Sequence, residues 1–324
     1  MILIVGGAGY IGSHINKLLS RRGYSTLVFD NLVYGHREFA KWGEFVLGDL
    51  CDLDQIRSCF AKYPIDVVVH CSSYAYVGES VVNPAKYYRN NIISTVNLLD
   101  AMLEQNVSQI IFSSSCSTYG IPESVPIMED HPQHPVNPYG RTKLIIEEML
   151  RDYERAYGIR SVVLRYFNAA GADIDCEIGE KHNPETHLIP LVLDVALGRK
   201  TGIQIFGTDY DTPDGTCVRD YVHVSDLAEA HLLAVDYLMG ENDSISLNLS
   251  NEKGFSVRDV IAKVEAVTGR PVNSIPMERR AGDPPVLIGS AEMAKRVLGW
   301  KPRLNDLGVI IETAWNWHLG AMEE

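Results

Sequence analysis

The beginning of the chain places a short apolar run directly before three regularly spaced glycines, an arrangement that few folds use. Ile2–Val5 predicts a buried strand, and Gly6, Gly9 and Gly12 follow it at the start of a helix-like segment. In a strand–turn–helix unit, such glycines let the backbone approach a pyrophosphate at the amino end of the helix. Asp30 ends the next apolar run, where a carboxylate accepts hydrogen bonds from a ribose diol. The sequence therefore predicts a dinucleotide-binding site.

Short apolar runs alternate with helix-like segments through the first half of the chain. This alternation is typical of a parallel sheet with helices on both faces. The predicted strands are residues 2–5, 26–29, 45–47, 67–70, 110–113 and 161–164. The predicted helices are residues 12–22, 54–63, 86–105 and 139–157.

After residue 168 the chain becomes rich in Pro, Gly, His and Asp, which favours a smaller, loop-rich region that contacts a ligand. The segment 220–227 precedes an alanine-rich helix and indicates a return to the first domain. We therefore predict an α/β fold, a doubly wound parallel sheet (Rossmann) with a smaller α/β substrate-binding domain. The predicted dinucleotide-binding domain is 1–167 plus 218–240, and the substrate domain is 168–217 plus 241–324.

Charge and composition exclude several classes of partner. The net charge of −13 and the pI near 5.2 argue against a general affinity for nucleic acid or anionic membranes. No apolar run approaches the roughly 18 residues of a membrane span. The apolar start leads directly into the glycine turn without a signal-peptide pattern, which predicts a cytoplasmic protein. The cysteines and histidines form no C-x-x-C or H-E-x-x-H pattern, so no metal site is predicted.

Tyr139 and Lys143 are four residues apart in a segment that reads as a helix beginning after Asn137 and Pro138. Residues at this spacing share one helix face, so the lysine ammonium is expected to lower the pKa of the phenol towards that of a useful base. Three serines, 113–115, end a predicted strand upstream, where ligands of open α/β sheets bind. The combination predicts redox chemistry on an alcohol.

Later motifs carry a resemblance that runs through the chain in order. They are Gly78–Ser80, Leu164–Asn168, Pro184–Pro190, Phe206–Gly207, Gly215–Val224 and Arg279–Asp283. Together with the glycine turn, the serines and the Tyr139–Lys143 pair, they resemble the UDP-glucose 4-epimerase family of extended short-chain dehydrogenases.

The resemblance implies that Tyr139 is the catalytic base, Lys143 its electrostatic partner and ribose ligand, and Ser115 the third catalytic residue. It implies that NAD is bound by Gly6, Gly9, Tyr10, Ile11, Gly12, Asp30, Asn31, Asp49, Leu50, Asn90, Ser113, Tyr139, Lys143 and Tyr166. Asn31 after Asp30, where NADP enzymes have arginine, also favours NAD. The resemblance further implies that the UDP-sugar is bound by Ser115, Phe167, Asn168, His187, Leu188, Gln204, Phe206, Arg219, Tyr221, Arg280, Asp283 and Leu287.

The implied reaction is inversion at C4 of a UDP-hexose, UDP-glucose or UDP-galactose, through a 4-keto intermediate. A UDP-pentose (xylose or arabinose) 4-epimerase is the alternative, because segments 75–80 and 115–120 also resemble such enzymes. A sugar nucleotide 4,6-dehydratase is less favoured, since it needs an Asp–Glu pair where this chain has Cys116 and Ser117. A non-enzymatic NAD-binding protein has no need of the Ser–Tyr–Lys set.

Two further expectations follow from the resemblance. Many family members have a lysine where this chain has Ala75, so one expected cofactor contact is weakened. A homodimer is expected through the helices containing residues 91–104 and 142–153.

Overall fold

A computed structural model describes residues 1–280 and 282–320. The first strands are β1 (Ile2–Val5), β2 (Thr26–Asp30), β3 (Glu44–Leu47), β4 (Val67–His70), β5 (Gln109–Ser115), β6 (Arg160–Tyr166) and β7 (Asn168–Ala170). The later strands are β8 (Ile203–Phe206), β9 (Val218–His223), β10 (Ile245–Leu249), β11 (Gly254–Ser256), β12 (Ser274–Met277) and β13 (Val286–Leu287).

The helices divide between the two halves of the chain. The first six are α1 (Tyr10–Arg21), α2 (Leu53–Lys62), α3 (Val77–Val82), α4 (Pro84–Tyr87), α5 (Ser94–Glu104) and α6 (Pro138–Tyr157). The others are α7 (Leu188–Ala196), α8 (Val224–Met239), α9 (Val257–Thr268), α10 (Glu292–Leu298) and α11 (Leu307–Gly320). A π-helical turn, Tyr88–Ile93, joins α4 to α5.

Seven parallel strands form the central sheet in the order β10-β6-β5-β4-β1-β2-β3. One face packs against α1, α8 and α10, and the other packs against α2, α5 and α6. Apolar side chains therefore cover both faces, as the near-continuous apolar strands require. The predicted doubly wound α/β fold is confirmed.

The six predicted strands and four predicted helices all form, with ends that shift by at most two residues, and the predicted helix 86–105 forms as α4, the π-helical turn and α5. The strand pairing departs from the predicted domain division at two strands. β10, in the segment 241–324 given to the substrate domain, pairs in parallel with β6 at the edge of the central sheet. β9, in the segment 218–240 given to the dinucleotide-binding domain, pairs with β7, β11 and β13 in a small sheet. Composition does not indicate which sheet a strand joins, because that depends on a partner far away in the chain. The rest of the domain division stays a prediction.

The second half also builds two small sheets around a separate apolar core. β9 pairs with β7, β11 and β13, and β12 pairs with β8. Helices α7, α9 and α11 supply most of this core. No helix within residues 1–280 and 282–320 has the length and apolar character needed to cross a bilayer.

Candidate active site at the carboxyl ends of the parallel strands

The glycine turn after β1 has two positions that the protein itself requires to be glycine. Gly6 has φ of +76°, and a β-carbon there would lie 2.7 Å from Ser72 N. A β-carbon at Gly12 would lie 2.3 Å from Gly6 O. At Gly9, by contrast, the nearest protein atom would be Gly6 O at 3.4 Å. The space in front of Gly9 is thus left open by the protein.

Gly9 also caps α1, and no side chain among the described residues hydrogen-bonds at this cap. The first turn of α1 contains no acidic residue. Its amide groups and dipole therefore favour an anion beside Gly9, which fits the pyrophosphate of a dinucleotide. Tyr10, the first residue of α1, has a structural role as well, because its hydroxyl donates to Gly171 O at 2.5 Å.

Asp30 is tied to the same turn. Its Oδ2 accepts from Ala8 N at 3.0 Å, and its Oδ1 accepts from Leu32 N at 2.8 Å. Burial raises the pKa of this carboxyl, against the opposing effect of the two amides. Asn31 Nδ2 donates to Asp49 Oδ2 at 3.2 Å, so the predicted NAD residues Asp30, Asn31 and Asp49 form one group at the ends of β2 and β3.

Helix α6 begins as predicted and brings Tyr139 and Lys143 to one face. Asn137 Oδ1 accepts from Gly140 N at 2.8 Å and caps the helix, with Pro138 in its first turn. Lys143 Nζ donates to Ser113 O at 2.7 Å and to Ser73 Oγ at 2.8 Å, and lies 5.8 Å from the centroid of the Tyr139 ring. The lysine is thereby fixed across the ends of β4 and β5.

The pKa values of this pair differ from the expectation. Burial raises the pKa of Tyr139 to about 12, although the neighbouring Ser115 hydroxyl lowers it in part. Burial lowers the pKa of Lys143 to about 7. In the protein without NAD, burial thus raises the pKa of Tyr139, in the direction opposite to the lowering expected from Lys143, and burial also disfavours the charged form of Lys143.

Ser113 takes part in a buried chain of hydrogen bonds that sequence reasoning missed. His231 Nδ1 lies 2.8 Å from Leu227 O and therefore carries the hydrogen, so His231 Nε2 accepts from Ser113 Oγ at 3.0 Å. Burial lowers the pKa of His231 to about 4, which keeps the ring neutral. Cys71 Sγ lies 3.2 Å from Ser113 Oγ and can donate to it. These contacts orient the strand end that holds Lys143.

Ser114 has a structural partner. Its hydroxyl donates to Glu147 Oε1 at 2.5 Å, and Glu147 Oε2 lies 2.7 Å from Arg165 Nη2. The carboxylate and guanidinium side chains are 0% and 3% exposed. This buried ion pair connects α6 to β6 beneath the predicted catalytic residues.

Asn91, in the π-helical turn, holds the loop after β4. Its side chain accepts from Tyr74 N at 2.9 Å and donates to Thr142 Oγ1 at 3.0 Å. The neighbouring Asn90, a predicted NAD ligand, is half-buried and donates to Asn91 Oδ1 at 3.0 Å. Such π-turns often occur at functional sites, and this one fixes the segment that carries Ser73.

Other predicted NAD residues lie nearby with different exposures. Leu50 is buried in the core beneath the sheet end, and Ile11 is half-buried in the first turn of α1. Tyr166 ends β6, with its ring centroid 6.2 Å from that of His231. Ala75 is exposed, and Lys86 lies near this loop, where it donates to Tyr34 OH at 3.0 Å and to Glu79 at 2.6 Å.

Predicted substrate residues meet next to Ser115 through strand register. Ser115 pairs with Tyr166, and the chain continues through Phe167 into β7. In the small sheet, Asn168 pairs with Tyr221, and Leu287 pairs with Arg219. Phe167 belongs to a small buried cluster with Cys116, Tyr119 and Ile127, and Leu287 packs against this cluster. The register thus places Asn168, Arg219, Tyr221 and Leu287 on neighbouring strands that follow the predicted catalytic Ser115 and Phe167.

Both predicted arginines lie in this region. Arg219 Nη1 donates to Pro284 O at 2.9 Å, and its Nη2 lies 3.8 Å from Asp283 Oδ1. The Arg280 guanidinium stacks on the Phe206 ring, 3.8 Å from its centroid. Gln204, two residues earlier in β8, is exposed. The pair of arginines gives an acidic protein local positive charge next to the small sheet.

His187 and Leu188 lie where α7 begins. Leu188 is half-buried against the apolar core of the second half, and His187 leaves 48% of its side chain exposed. His187 Nδ1 lies 2.6 Å from Glu180 Oε1. The carboxylates Glu180 and Glu185 raise the pKa of His187 to about 10, against the effect of burial.

Comparisons with known proteins agree with this arrangement. Residues 2–248 match the NAD dependent epimerase/dehydratase family. The chain belongs to this family. UDP-glucose 4-epimerase from Rhizobium meliloti (strain 1021) is 52% identical over 98% of this chain and 96% of that protein. The resemblance inferred from the motifs is confirmed.

Solved structures of family members share the whole fold. UDP-glucose 4-epimerase from Brucella ovis, in complex with NAD, is 51% identical and superposes with a TM-score of 0.96 over 98% of both chains. UDP-glucose-4-epimerase from Stenotrophomonas maltophila, with bound NAD and formylated UDP-arabinopyranose, is 36% identical, with a TM-score of 0.96 over 99% of this chain and 98% of that one. NAD is the cofactor of the family, and the open space at Gly9 suits it.

Proposed function

We propose that this family member inverts the configuration at C4 of a UDP-hexose, interconverting UDP-glucose and UDP-galactose. The observation that carries the proposal is the continuity of Ser115 with the small sheet: Ser115 pairs with Tyr166, and Phe167 and Asn168 lead into β9. A sugar bound over that sheet lies beside the catalytic strand end. The names of the similar proteins support the same reaction.

The predicted residues divide the chemistry between them. Bound NAD would accept hydride from the sugar, and its cationic ring would favour the Tyr139 phenolate that burial disfavours. Tyr139 takes the proton of the C4 hydroxyl and later returns one, while Ser115 hydrogen-bonds the same oxygen. Lys143, fixed by Ser113 O and Ser73 Oγ, is placed to bind the ribose and to stabilise negative charge on the phenol.

Inversion further requires that the sugar turn between the two half-reactions while its nucleotide stays bound. Arg219 and Arg280 offer planar donor groups for the diphosphate of the nucleotide. Contacts to the diphosphate hold the intermediate but leave the sugar free to turn either face towards NAD. They therefore contribute to turnover as well as to binding. Asn168, Tyr221, Phe206, Asp283 and Leu287 complete the proposed substrate surface.

Proton NMR of purified protein with UDP-galactose tests the reaction directly. The anomeric signal of UDP-glucose should grow without added reductant or oxidant. Tyr139→Phe should abolish most turnover and leave UDP binding nearly intact, whereas Tyr157→Phe, an exposed tyrosine on the same helix, should behave as wild type. A tenfold loss of kcat corresponds to a rise of roughly 1.4 kcal/mol in the activation free energy. If Tyr139→Phe keeps more than about a tenth of the wild-type kcat, another group is the base.

A UDP-pentose remains the second candidate substrate. The Stenotrophomonas maltophila structure contains formylated UDP-arabinopyranose, and segments 75–80 and 115–120 resemble pentose enzymes. Incubation with UDP-xylose, UDP-galactose and UDP-N-acetylgalactosamine in parallel distinguishes the sugars by kcat/KM. Binding of all three without turnover would instead support an NAD-binding protein without catalysis.

We also propose a homodimer formed through α5 and α6. Ile93, before α5, is 49% exposed, and Leu103, Met149 and Tyr153 are only partly buried. Analytical ultracentrifugation of wild type and Ile93→Glu tests this, with a monomeric variant as the expected result. The cytoplasmic location is likewise a prediction, tested by cell fractionation.

A further inference from the structure

A fully buried carboxylate, Asp220, lies between two predicted substrate residues on β9. Its neighbours Arg219 and Tyr221 are predicted to bind the UDP-sugar, and the Asp220 side chain is 0% exposed. Successive side chains of a strand point to opposite faces of its sheet, so the carboxylate lies on the face opposite Arg219 and Tyr221. Asp220 is therefore placed to act on these two residues through the backbone of β9.

The partners of this carboxylate are three consecutive residues after β10. They are Ser250, Asn251 and Glu252, which we call the 250–252 turn. Asp220 Oδ1 accepts from Asn251 N at 2.9 Å. Asp220 Oδ2 accepts from Glu252 N at 3.1 Å and from the Ser250 hydroxyl. Asn251 Nδ2 donates in the other direction, to Tyr221 O at 2.6 Å. Two neighbouring residues of β9 thus hold the turn.

The 250–252 turn joins the two parts of the structure. It directly follows β10 of the central sheet and leads into β11, which pairs with β9 in the small sheet. Glu252 has φ of +58°, a left-handed conformation that is costly for a residue with a side chain. Asp220 binds its amide, and its carboxylate accepts from Ala291 N at 2.9 Å and pairs with Lys295. The turn is therefore a constrained link between the central sheet and β9.

Hydrogen bonds, and not a cation, stabilise the charge of Asp220. Arg219, the preceding residue, lies 3.8 Å from Asp283, and Asp220 forms no salt bridge within residues 1–280 and 282–320. Burial raises the pKa of Asp220 to about 6, although the hydrogen bonds from the 250–252 turn lower it in part. A protonated carboxyl carries hydrogen on one oxygen, so that oxygen accepts less well from the turn.

We propose that Asp220 is a positioning residue for the UDP-sugar: its carboxylate fixes β9 to the 250–252 turn and so places Arg219 and Tyr221 for the nucleotide. This role rests on the proposed function, in which those two residues contact the UDP-sugar. When Asp220 loses its charge, β9 is held less firmly and the affinity for the UDP-sugar falls. NAD content does not change, because the glycine turn and Lys143 lie on other elements.

A second buried aspartate, in α8, offers a matched control. Asp226 is 6% exposed and accepts from Arg303 N and Leu304 N, both at 2.9 Å. Burial raises the pKa of this carboxyl as well. Asp226 thus resembles Asp220 in burial, charge and backbone hydrogen bonds, but it holds the segment before α11 and not the 250–252 turn.

The test measures UDP-glucose binding to the full chain with its NAD, by calorimetry from pH 7.5 to pH 5.5, which stays above the pI near 5.2. UDP-glucose suits this range because it lacks a terminal phosphate, whose second pKa of about 6 would add its own pH dependence. With the pKa of Asp220 at about 6, wild-type affinity should fall about fourfold from pH 7.5 to pH 5.5. Asp220→Asn should bind roughly 10- to 100-fold more weakly at pH 7.5, since misplacement by about 1 Å can cost about 100-fold, and should lack this fall.

Control variants separate Asp220 from other groups. Asp226→Asn should bind UDP-glucose as wild type does, with the same pH dependence. The other charged or titratable residues on the elements around Asp220 are Cys116, Glu129, Arg219, Glu252, Lys253, Asp283 and Lys295. Burial raises the pKa of Glu129 too, so Glu129→Gln should keep the fall in affinity. Burial raises the pKa of Cys116 to about 12, and Lys295 lowers the pKa of Glu252 against the effect of burial, so neither titrates in this range.

Constant wild-type affinity from pH 7.5 to pH 5.5 would overturn the proposal, and this measurement needs no variant. Wild-type binding by Asp220→Asn, an unchanged pH dependence in that variant, or its loss in Glu129→Gln would do the same. Equal losses in Asp220→Asn and Asp226→Asn would indicate a general effect of removing a buried charge, which also contradicts it. NAD content and urea unfolding identify a misfolded variant, and the wild-type and Glu129→Gln profiles then decide.

The proposed function has its own outcomes in the same experiment. Absence of UDP-glucose binding by wild type would refute that function and the role of Asp220 with it. Binding without epimerisation would refute the proposed reaction alone, because the affinity measurements on Asp220 remain valid. Normal epimerisation with unchanged affinity in Asp220→Asn would refute the positioning role alone.

Discussion

Gly9→Ala should separate cofactor affinity from the stability of the protein. The Gly9 backbone, with φ of −83° and ψ of 178°, suits any residue, and the added methyl would approach only Gly6 O, at 3.4 Å. Alanine is a poorer N-cap than glycine but reduces the entropy of the unfolded chain, and these effects are each below about 1 kcal/mol and opposed. The free energy of unfolding of NAD-free Gly9→Ala should therefore lie within about 1 kcal/mol of the wild-type value.

The same methyl would occupy the space that a pyrophosphate needs. A hydrogen bond between a charged oxygen and an amide contributes about 1.5–3 kcal/mol. Displacing the pyrophosphate from two amides of α1 should thus weaken NAD binding by about 3–6 kcal/mol, roughly 10²- to 10⁴-fold. Purified Gly9→Ala should contain little NAD, whereas wild type should retain it through purification.

Gly12→Ala provides the matched comparison. Its β-carbon would lie 2.3 Å from Gly6 O and 2.8 Å from Gly7 Cα, so the turn itself must move. Such overpacking costs roughly 1–3 kcal/mol, and NAD-free Gly12→Ala should lose stability as well as cofactor. The measurements are thermal unfolding of NAD-free protein and NAD released on denaturation. Wild-type NAD content in Gly9→Ala, or equal destabilisation of both variants, would refute this reasoning.

Three other expectations concern groups around the site. Burial lowers the pKa of Lys143 from 10.5 to about 7, so between these pH values the unfolded state binds more protons than the folded state. In NAD-free protein, the free energy of unfolding should therefore rise with pH by about 1 kcal/mol per pH unit relative to Lys143→Met. Parallel pH profiles of the two proteins would contradict this. Glu147→Gln leaves Arg165 charged and buried, which should cost about 3–5 kcal/mol in urea unfolding, and Glu147→Leu with Arg165→Met should recover most of it. Leu287 packs beside Phe167, where an unpartnered acetamido amide would cost about 1–3 kcal/mol. Leu287→Ser should therefore raise relative kcat/KM for UDP-N-acetylgalactosamine, and an unchanged ratio would remove Leu287 from specificity.

The sequence was most informative where local patterns determine structure. Apolar runs identified six strands of the central sheet, and Asn137 and Pro138 predicted the start of α6. Local patterns could not predict contacts between residues that lie far apart in the chain. Ser113 and His231 are 118 positions apart, and their hydrogen bond follows from the packing of α8 on the sheet. The pKa of Tyr139 likewise depends on burial, which the four-residue spacing to Lys143 does not reveal.

The place of β10 at the edge of the central sheet sets an order of events during synthesis. About 80 residues separate the end of β6 from β10. At a synthesis rate of about 5–20 residues per second, β10 is therefore made roughly 4–16 s after β6. During this interval the outer edge of β6 presents unpaired N–H and C=O groups on an apolar strand, which is a template for association with other chains. The nascent protein is therefore most vulnerable to aggregation after its predicted catalytic residues have been made and before Ile245 leaves the ribosome.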